Sequence, residues 1–237
     1  MHLCDERAVI GHIPLRRCEP QDGPIAGTIL FYHGLGVDIG IQTPELHSLA
    51  RAGFRVIGID AVGHGARRWP DFDTRFAPPT ASHNLARVLE ASVAELPGLI
   101  DALVDRGLAD PQRLGLGGIS MGAYITYGAA LVEPRLSVIT PILGSPVWPE
   151  GATLQPHTQP EAFFPRALLS VNADDDEVVA PHEARDFHHR LSPHYRTQPQ
   201  RLSHLDIPHA GHFVPEAAWH RLWAQVLDWY GRFLPAP

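Results

Sequence analysis

Residues 113–131 read RLGLGGISMGAYITYGAAL. Arg113 to Ile119 is a short apolar run, which predicts a strand. Met121 to Leu131 is rich in small residues and predicts a helix. At the junction stands Gly118-Ile119-Ser120-Met121-Gly122, a G-x-S-x-G sequence. A strand-to-helix turn that sharp leaves no room for side chains two residues either side of the serine, and glycines occupy both places. Ser120 is thereby lifted above the sheet edge, at a helix N-terminus that favours negative charge. An isolated match to this pattern is weak. In this context it makes Ser120 the candidate nucleophile.

The same alternation runs outward from this stretch. Gly27–Tyr32, Phe54–Asp60, Leu136–Leu143 and Arg166–Val171 predict strands, and Arg201–Ile207 a weaker one. Pro44–Arg51, Leu85–Val104, His182–Leu191 and Trp219–Phe233 predict helices. Pro97 falls within the second of these and predicts a kink or break. Residues 6–18 predict an antiparallel strand pair. Strands alternating with helices mean βαβ units: an α/β fold with a mostly parallel sheet and helices on both faces. No Gly/Ser-rich linker and no repeat interrupts it, so one domain is expected over residues 1–237. In such sheets function collects at the carboxyl ends of the strands.

Composition excludes several classes. The 237 residues are 44% hydrophobic and 19% charged, which rules out a disordered chain. No apolar run approaches the ~20 residues of a membrane span. Met1 to Arg7 lacks the apolar region of a signal peptide, so a soluble cytoplasmic protein is expected. The formal net charge is −7, and basic residues cluster no further than Arg16-Arg17 and Arg67-Arg68. Nucleic acid or an anionic membrane is therefore not expected as the main partner. Cys4 and Cys18 cannot build a disulfide framework; free thiols are expected, with a single bridge between them left open. Fifteen histidines invite a metal reading. The chain lacks H-E-x-x-H and paired Cys-x-x-Cys, and no metal is expected.

A serine hydroxyl needs a base. His209-Ala210-Gly211-His212-Phe213 supplies one between the last strand and the last helix, with His212 favoured and His209 its rival. The acid is sought between serine and histidine in the chain. Asp174-Asp175-Asp176-Glu177 follows the strand ending at Val171. Four consecutive acids there are costly unless one is used to orient the imidazole, or unless they hold a cation; the spaced pattern of a calcium loop is missing. Backbone N–H groups for an oxyanion are wanted from the residue after the nucleophile and from a loop after an early strand. Met121 supplies the first. His33-Gly34-Leu35-Gly36, directly after Gly27–Tyr32, supplies the second through Leu35.

With these parts in place the sequence resembles the α/β-hydrolase superfamily, in particular the small single-domain serine esterases related to dienelactone hydrolases and to the catalytic domain of prolyl oligopeptidases. The resemblance runs from HGLG at 33–36 through DAVGHG at 60–65 and GISMG to AGHF at 210–213. It implies an α/β-hydrolase fold of about eight strands. It also implies an acid loop of the form G-x-x-D-x-V-V-P. Laid on this chain, Ala173 takes the glycine place, Asp176 the acid and Val178-Val179 the apolar pair, while Ala180 replaces the proline. Dienelactone hydrolases use cysteine; Ser120 points instead to the esterase branch.

The expected chemistry is acyl transfer to water through an acyl-serine, on a small acyl ester or thioester, with no cofactor. A peptidase, lactonase or acyltransferase would use the same triad, and a non-catalytic binder would keep only the fold. Residues 144–165 are too few for a helical cap, so minimal or no cap is expected. Trp148 is expected to form one wall of a shallow acyl pocket. Trp69, Phe72 and Phe76, in the long polar loop 63–83, are expected to form another.

Overall fold

A computed structural model describes residues 2–234. Strands β1 (Leu3–Ile10) and β2 (Ile13–Pro20) pair antiparallel, and β2 continues antiparallel onto β4 (Arg55–Ile59). All other pairings are parallel, through β3 (Thr28–Tyr32), β5 (Leu114–Ile119), β6 (Leu136–Ile142), β7 (Ala167–Ala173) and β8 (Leu202–Ile207). The eight strands lie in the order β1-β2-β4-β3-β5-β6-β7-β8. Sequence order reverses between β3 and β5, and Tyr32 stands opposite Gly118 there. Two strand ends thus meet where neither crossover helix covers them, which is where open α/β sheets hold their sites.

Period-two alternation in the strands divides the core. Ile29, Phe31, Val56, Val138 and Val171 face helix α1 (Thr43–Arg51) and α6 (Glu216–Phe233). Leu30, Tyr32, Ile57, Leu116 and Ile139 face α3 (Ala81–Asp105), α4 (Met121–Val132) and α5 (Pro181–Leu191). Both faces of the parallel strands are buried, which explains why they read as continuous apolar runs rather than alternating ones.

Of the kink or break expected at Pro97, the break does not occur: α3 runs uninterrupted for 25 residues. Proline removes one backbone donor there. Val93, Leu96, Leu99, Ile100 and Leu103 are nonetheless buried on one stripe spanning it, while Pro97 sits on the partly exposed side with Gly98 exposed beside it. Tertiary burial on both sides outweighs the single lost hydrogen bond.

Register also decides the two cysteines. Asp5 stands opposite Cys18 and Cys4 opposite Glu19. Cys4 and Cys18 therefore point to opposite faces of the sheet, and both are free thiols. Among the described residues no helix is long and apolar enough to cross a membrane. Residues 144–165 contain only two short 3₁₀ turns, Pro156–Thr158 and Pro160–Ala162, so no helical cap covers the sheet.

Candidate active site

β5 delivers Ser120 into the left-handed region, with φ +56° and ψ −115°. A non-glycine residue held there costs on the order of 1–3 kcal/mol. Its surroundings leave no alternative. A Cβ on Gly118 would lie 2.3 Å from the Gly122 carbonyl oxygen, and one on Gly122 would lie 2.3 Å from the Tyr32 carbonyl oxygen. The two glycines let α4 start against the ends of β3 and β5. The Ser120 N–H donates to Ile142 O at 2.8 Å, which ties the turn to β6.

His212 lies on the loop between β8 and α6. Its Nε2 stands 3.0 Å from Ser120 Oγ and its Nδ1 2.8 Å from Asp176 Oδ2. The other Asp176 oxygen accepts the Val178 and Val179 N–H groups, each at 2.8 Å. Asp176 is thus fixed through both oxygens, and its side chain is fully buried. An imidazole between a carboxylate and a hydroxyl carries its proton on Nδ1 and offers a lone pair at Nε2. His209 is exposed, at φ +55°, and joins none of these contacts. Asp174 pairs with Arg185, which also holds Asp206 at 2.9 Å. Asp175 is exposed, with its backbone N–H donated to Ala210 O. The structure therefore brings together Ser120, Asp176 and His212 and leaves out the neighbouring acids and the rival histidine. Of the expected apolar pair, Val179 is buried, but Val178 is 65% exposed. The Asp176 carboxylate, rather than a buried Val178, holds that turn.

Leu35 and Met121 border the same cavity as Ser120. Met121 is the first residue of α4, so its N–H has no partner within the helix. The turn carrying Leu35 is fixed from beneath. His33 is buried; its Nδ1–H donates to Gly34 O at 2.7 Å, and its Nε2 accepts the Ala61 N–H at 3.1 Å. Burial lowers the His33 pKa, keeping the ring neutral and able to do both. Asp60, also buried, accepts N–H bonds from Ile39 and Ala66.

Two expected walls are elsewhere. Trp148 does not line the cavity. It is buried, its indole N–H donates to Tyr124 O at 3.1 Å, and its ring fills a notch that a Cβ on Gly128 would close to 2.2 Å. A large apolar ring gains more from a ready-made notch in α4 than from an open groove. Trp69, Phe72 and Phe76 do not line it either. Loop 63–83 folds into two short helical turns, Gly65–Arg67 and α2 (Phe72–Arg75). Phe72 stacks on Phe76 with centroids 4.4 Å apart and meets His64 edge-on at 4.8 Å. Arg68 covers Phe72 and donates to Gly36 O at 3.0 Å. The loop thus buttresses the turn at 33–36 from outside. Beyond Leu35, Ser120, Met121 and His212, the cavity of about 460 Å³ above Ser120 is lined by residues not expected there, among them Ile41, Gln42, Leu85, Tyr124 and Phe213. These come from separate elements and follow no motif.

One cluster has the donors of a cation site. Among the described residues, ligand atoms of Asp5, Cys18 and His47 lie within 4.8 Å of one another. The Arg16 guanidinium engages both Asp5 oxygens and holds that carboxyl well below the usual range. Burial pushes the Cys18 thiol up to about 12. A protonated thiol and an acid already paired with arginine make a poor ligand set.

Buried His64 and half-buried His188 tie the stability of the fold to pH. Burial lowers His64 and His188 from 6.5 to about 4. Such groups bind a proton more readily unfolded than folded, so their contribution is full above about pH 6.5 and lost as pH falls through about 4. The thermal midpoint is therefore expected to drop measurably between about pH 7 and about pH 5, before native carboxylates begin to titrate. A midpoint unchanged across that interval, read by circular dichroism, contradicts the assignment.

Residues 29–234 match the alpha/beta hydrolase family, and the chain belongs to that family; fold and membership together define a hydrolase. Among curated relatives, YitV of Bacillus subtilis (strain 168), which bears an esterase name, is 26% identical over 235 residues, covering 87% of this chain and 89% of YitV. Esterase YjfP of Escherichia coli (strain K12) is 27% identical over 182 residues, covering 74% and 67%. The crystal structure of TT1662 from Thermus thermophilus superposes with a TM-score of 0.80 at 22% identity, covering 97% of this chain and 99% of that one.

Proposed function

We propose that this protein hydrolyses small carboxylic esters and thioesters through an acyl-serine intermediate. The observation that carries the reading is the unbroken hydrogen-bonded line from Asp176 through His212 to Ser120, opening into one cavity. His212 Nε2 takes the Ser120 proton as Oγ attacks the ester carbonyl, and Asp176 stabilises the resulting imidazolium. The Leu35 and Met121 N–H groups receive the tetrahedral oxyanion. His212 then protonates the departing alcohol or thiol and activates water to release the acid. No cofactor takes part in these steps. A peptidase, lactonase or acyltransferase would use the same groups; the esterase names of two relatives favour the ester.

A fluorophosphonate probe tests the reading. It is expected to inactivate the enzyme with one adduct, on the peptide carrying Ser120. An enzyme that hydrolyses esters without being labelled there contradicts the assignment.

The uncapped cavity also limits chain length. No second layer is present to wrap a long chain, and each methylene gains only ~0.8 kcal/mol when it is buried. Acyl groups of about two to six carbons are expected to be preferred, since later methylenes stay in water. A higher kcat/KM on a p-nitrophenyl laurate than on the butyrate contradicts this.

A further inference from the structure

Leu35, Ile41, Val178 and Phe213 are exposed large apolar side chains, and all four ring the opening above Ser120. Among the described residues, only Val9 and Val132 are comparably exposed elsewhere. Phe213 is 92% exposed and meets the His212 ring edge-on, with centroids 5.8 Å apart. A phenyl ring standing in water beside the reacting centre has nearly all of its burial still to gain. Phe213 also borders a second lobe, beyond His212, whose walls include Gln42, Val214 and Trp219. It therefore stands between the two spaces open to the arms of a bound ester.

The main cavity offers no charge to match. Its lining holds no arginine, aspartate or glutamate; its side-chain polar groups come from Ser120, His212, Gln42 and Tyr124. Arg68, which reaches the Gly36 carbonyl at the turn beside the opening, is already paired with Asp73 at 2.9 Å. Asp175 and Glu177 stand exposed on either side of Asp176, and Glu216 adds a carboxylate to the second lobe. A carboxylate carried into the main cavity loses water and gains no cation, and one placed in the second lobe meets the like charge of Glu216.

We propose that the site is built for uncharged esters with apolar arms, that it rejects esters bearing a carboxylate, and that Phe213 is the specificity-determining residue that covers the bound substrate. The inference rests on the serine-hydrolase reading, and the test keeps the two apart.

The test compares p-nitrophenyl butyrate with p-nitrophenyl hemisuccinate, which has an acyl chain of the same length ending in a carboxylate. The intact protein and Phe213→Ala are assayed together, and Ser120 labelling by the fluorophosphonate is recorded on the same intact protein. The exposed position of Phe213 makes its truncation harmless to folding. In the intact protein the butyrate is expected to lead in kcat/KM by at least ~100-fold, a charge penalty discounted for the open mouth. Phe213→Ala is expected to raise KM for the butyrate about tenfold, less than full burial of a phenyl ring would give, with kcat within about threefold. A KM effect without a kcat effect marks a residue that binds the substrate rather than one that merely supports His212. Labelled Ser120 with the two esters hydrolysed at similar kcat/KM, or with KM unmoved in Phe213→Ala, overturns this inference and leaves the serine reading standing. Failure to label Ser120 overturns both.

Discussion

Ser120→Ala is expected to lower kcat for p-nitrophenyl butyrate by on the order of 10⁶ while leaving the fold intact. The size follows from the arrangement. In the proposed mechanism His212 and Asp176 act only through the Ser120 hydroxyl, so removing it disables all three together. What survives is the background from substrate binding and the two backbone N–H groups. The fold is expected to persist because alanine keeps the Cβ and loses only the hydroxyl. The side-chain hydrogen bond lost is the one to His212 at 3.0 Å. The turn itself rests on Gly118, Gly122 and the backbone bond from Ser120 N–H to Ile142 O, none of which changes. A variant retaining more than about a tenth of the wild-type rate, against that expected loss, would remove Ser120 from the mechanism.

The acid gives the second large effect. Asp176→Asn is expected to cost up to ~10⁴ in kcat. One Asp176 oxygen accepts the Val178 and Val179 N–H groups. In the variant the amide oxygen keeps that role, so the amide nitrogen faces His212 Nδ1. Two donors cannot share that contact. The imidazole then moves its proton to Nε2, where it points at the hydroxyl that needs a base. Asp174→Asn and Asp175→Asn are expected to cost less than about tenfold, far below the tautomer penalty. Asp174 faces Arg185 and Asp175 faces solvent. A large loss at Asp175 with Asp176→Asn near wild type would contradict the geometry.

Much of this site was legible because it depends on local backbone demands. Gly118 and Gly122 are where they are because two backbones cross within the reach of a Cβ, and such demands leave a fixed spacing in the sequence. The acid register was read from Val178-Val179 standing as the apolar pair of the acid loop. Only Val179 is buried, and the bonds from the Val178 and Val179 N–H groups to Asp176 are what define that turn. The Val178 side chain points to the mouth of the cavity, and only its N–H is used.

The misread residues depend on distant partners. Trp148 is drawn into the core by Gly128, twenty positions earlier, and nothing near Trp148 in the chain announces that notch. Pro97 reads as a helix breaker by local propensity. The buried stripe from Val93 to Leu103 overrides it. Loop 63–83 shows no period because its aromatic residues pack on one another and on His64, not on a regular face. Phe213 reads as an ordinary apolar residue, and its near-complete exposure emerges only when the loop after β8 is folded. The cavity walls fall outside sequence reading for the same reason, since β5, α3, α4 and four loops contribute to the site.

The central claim is that ester cleavage passes through an acyl group on Ser120. It is tested most directly by mixing the enzyme with excess p-nitrophenyl butyrate, following p-nitrophenol release in the first milliseconds, and quenching in acid for mass analysis. The account predicts that acid-quenched protein carries one butyryl group, on the peptide containing Ser120, with an initial burst of p-nitrophenol approaching one equivalent where deacylation is slower than acylation. A burst of p-nitrophenol with no acyl group on the Ser120 peptide, or an adduct on another residue, would contradict it.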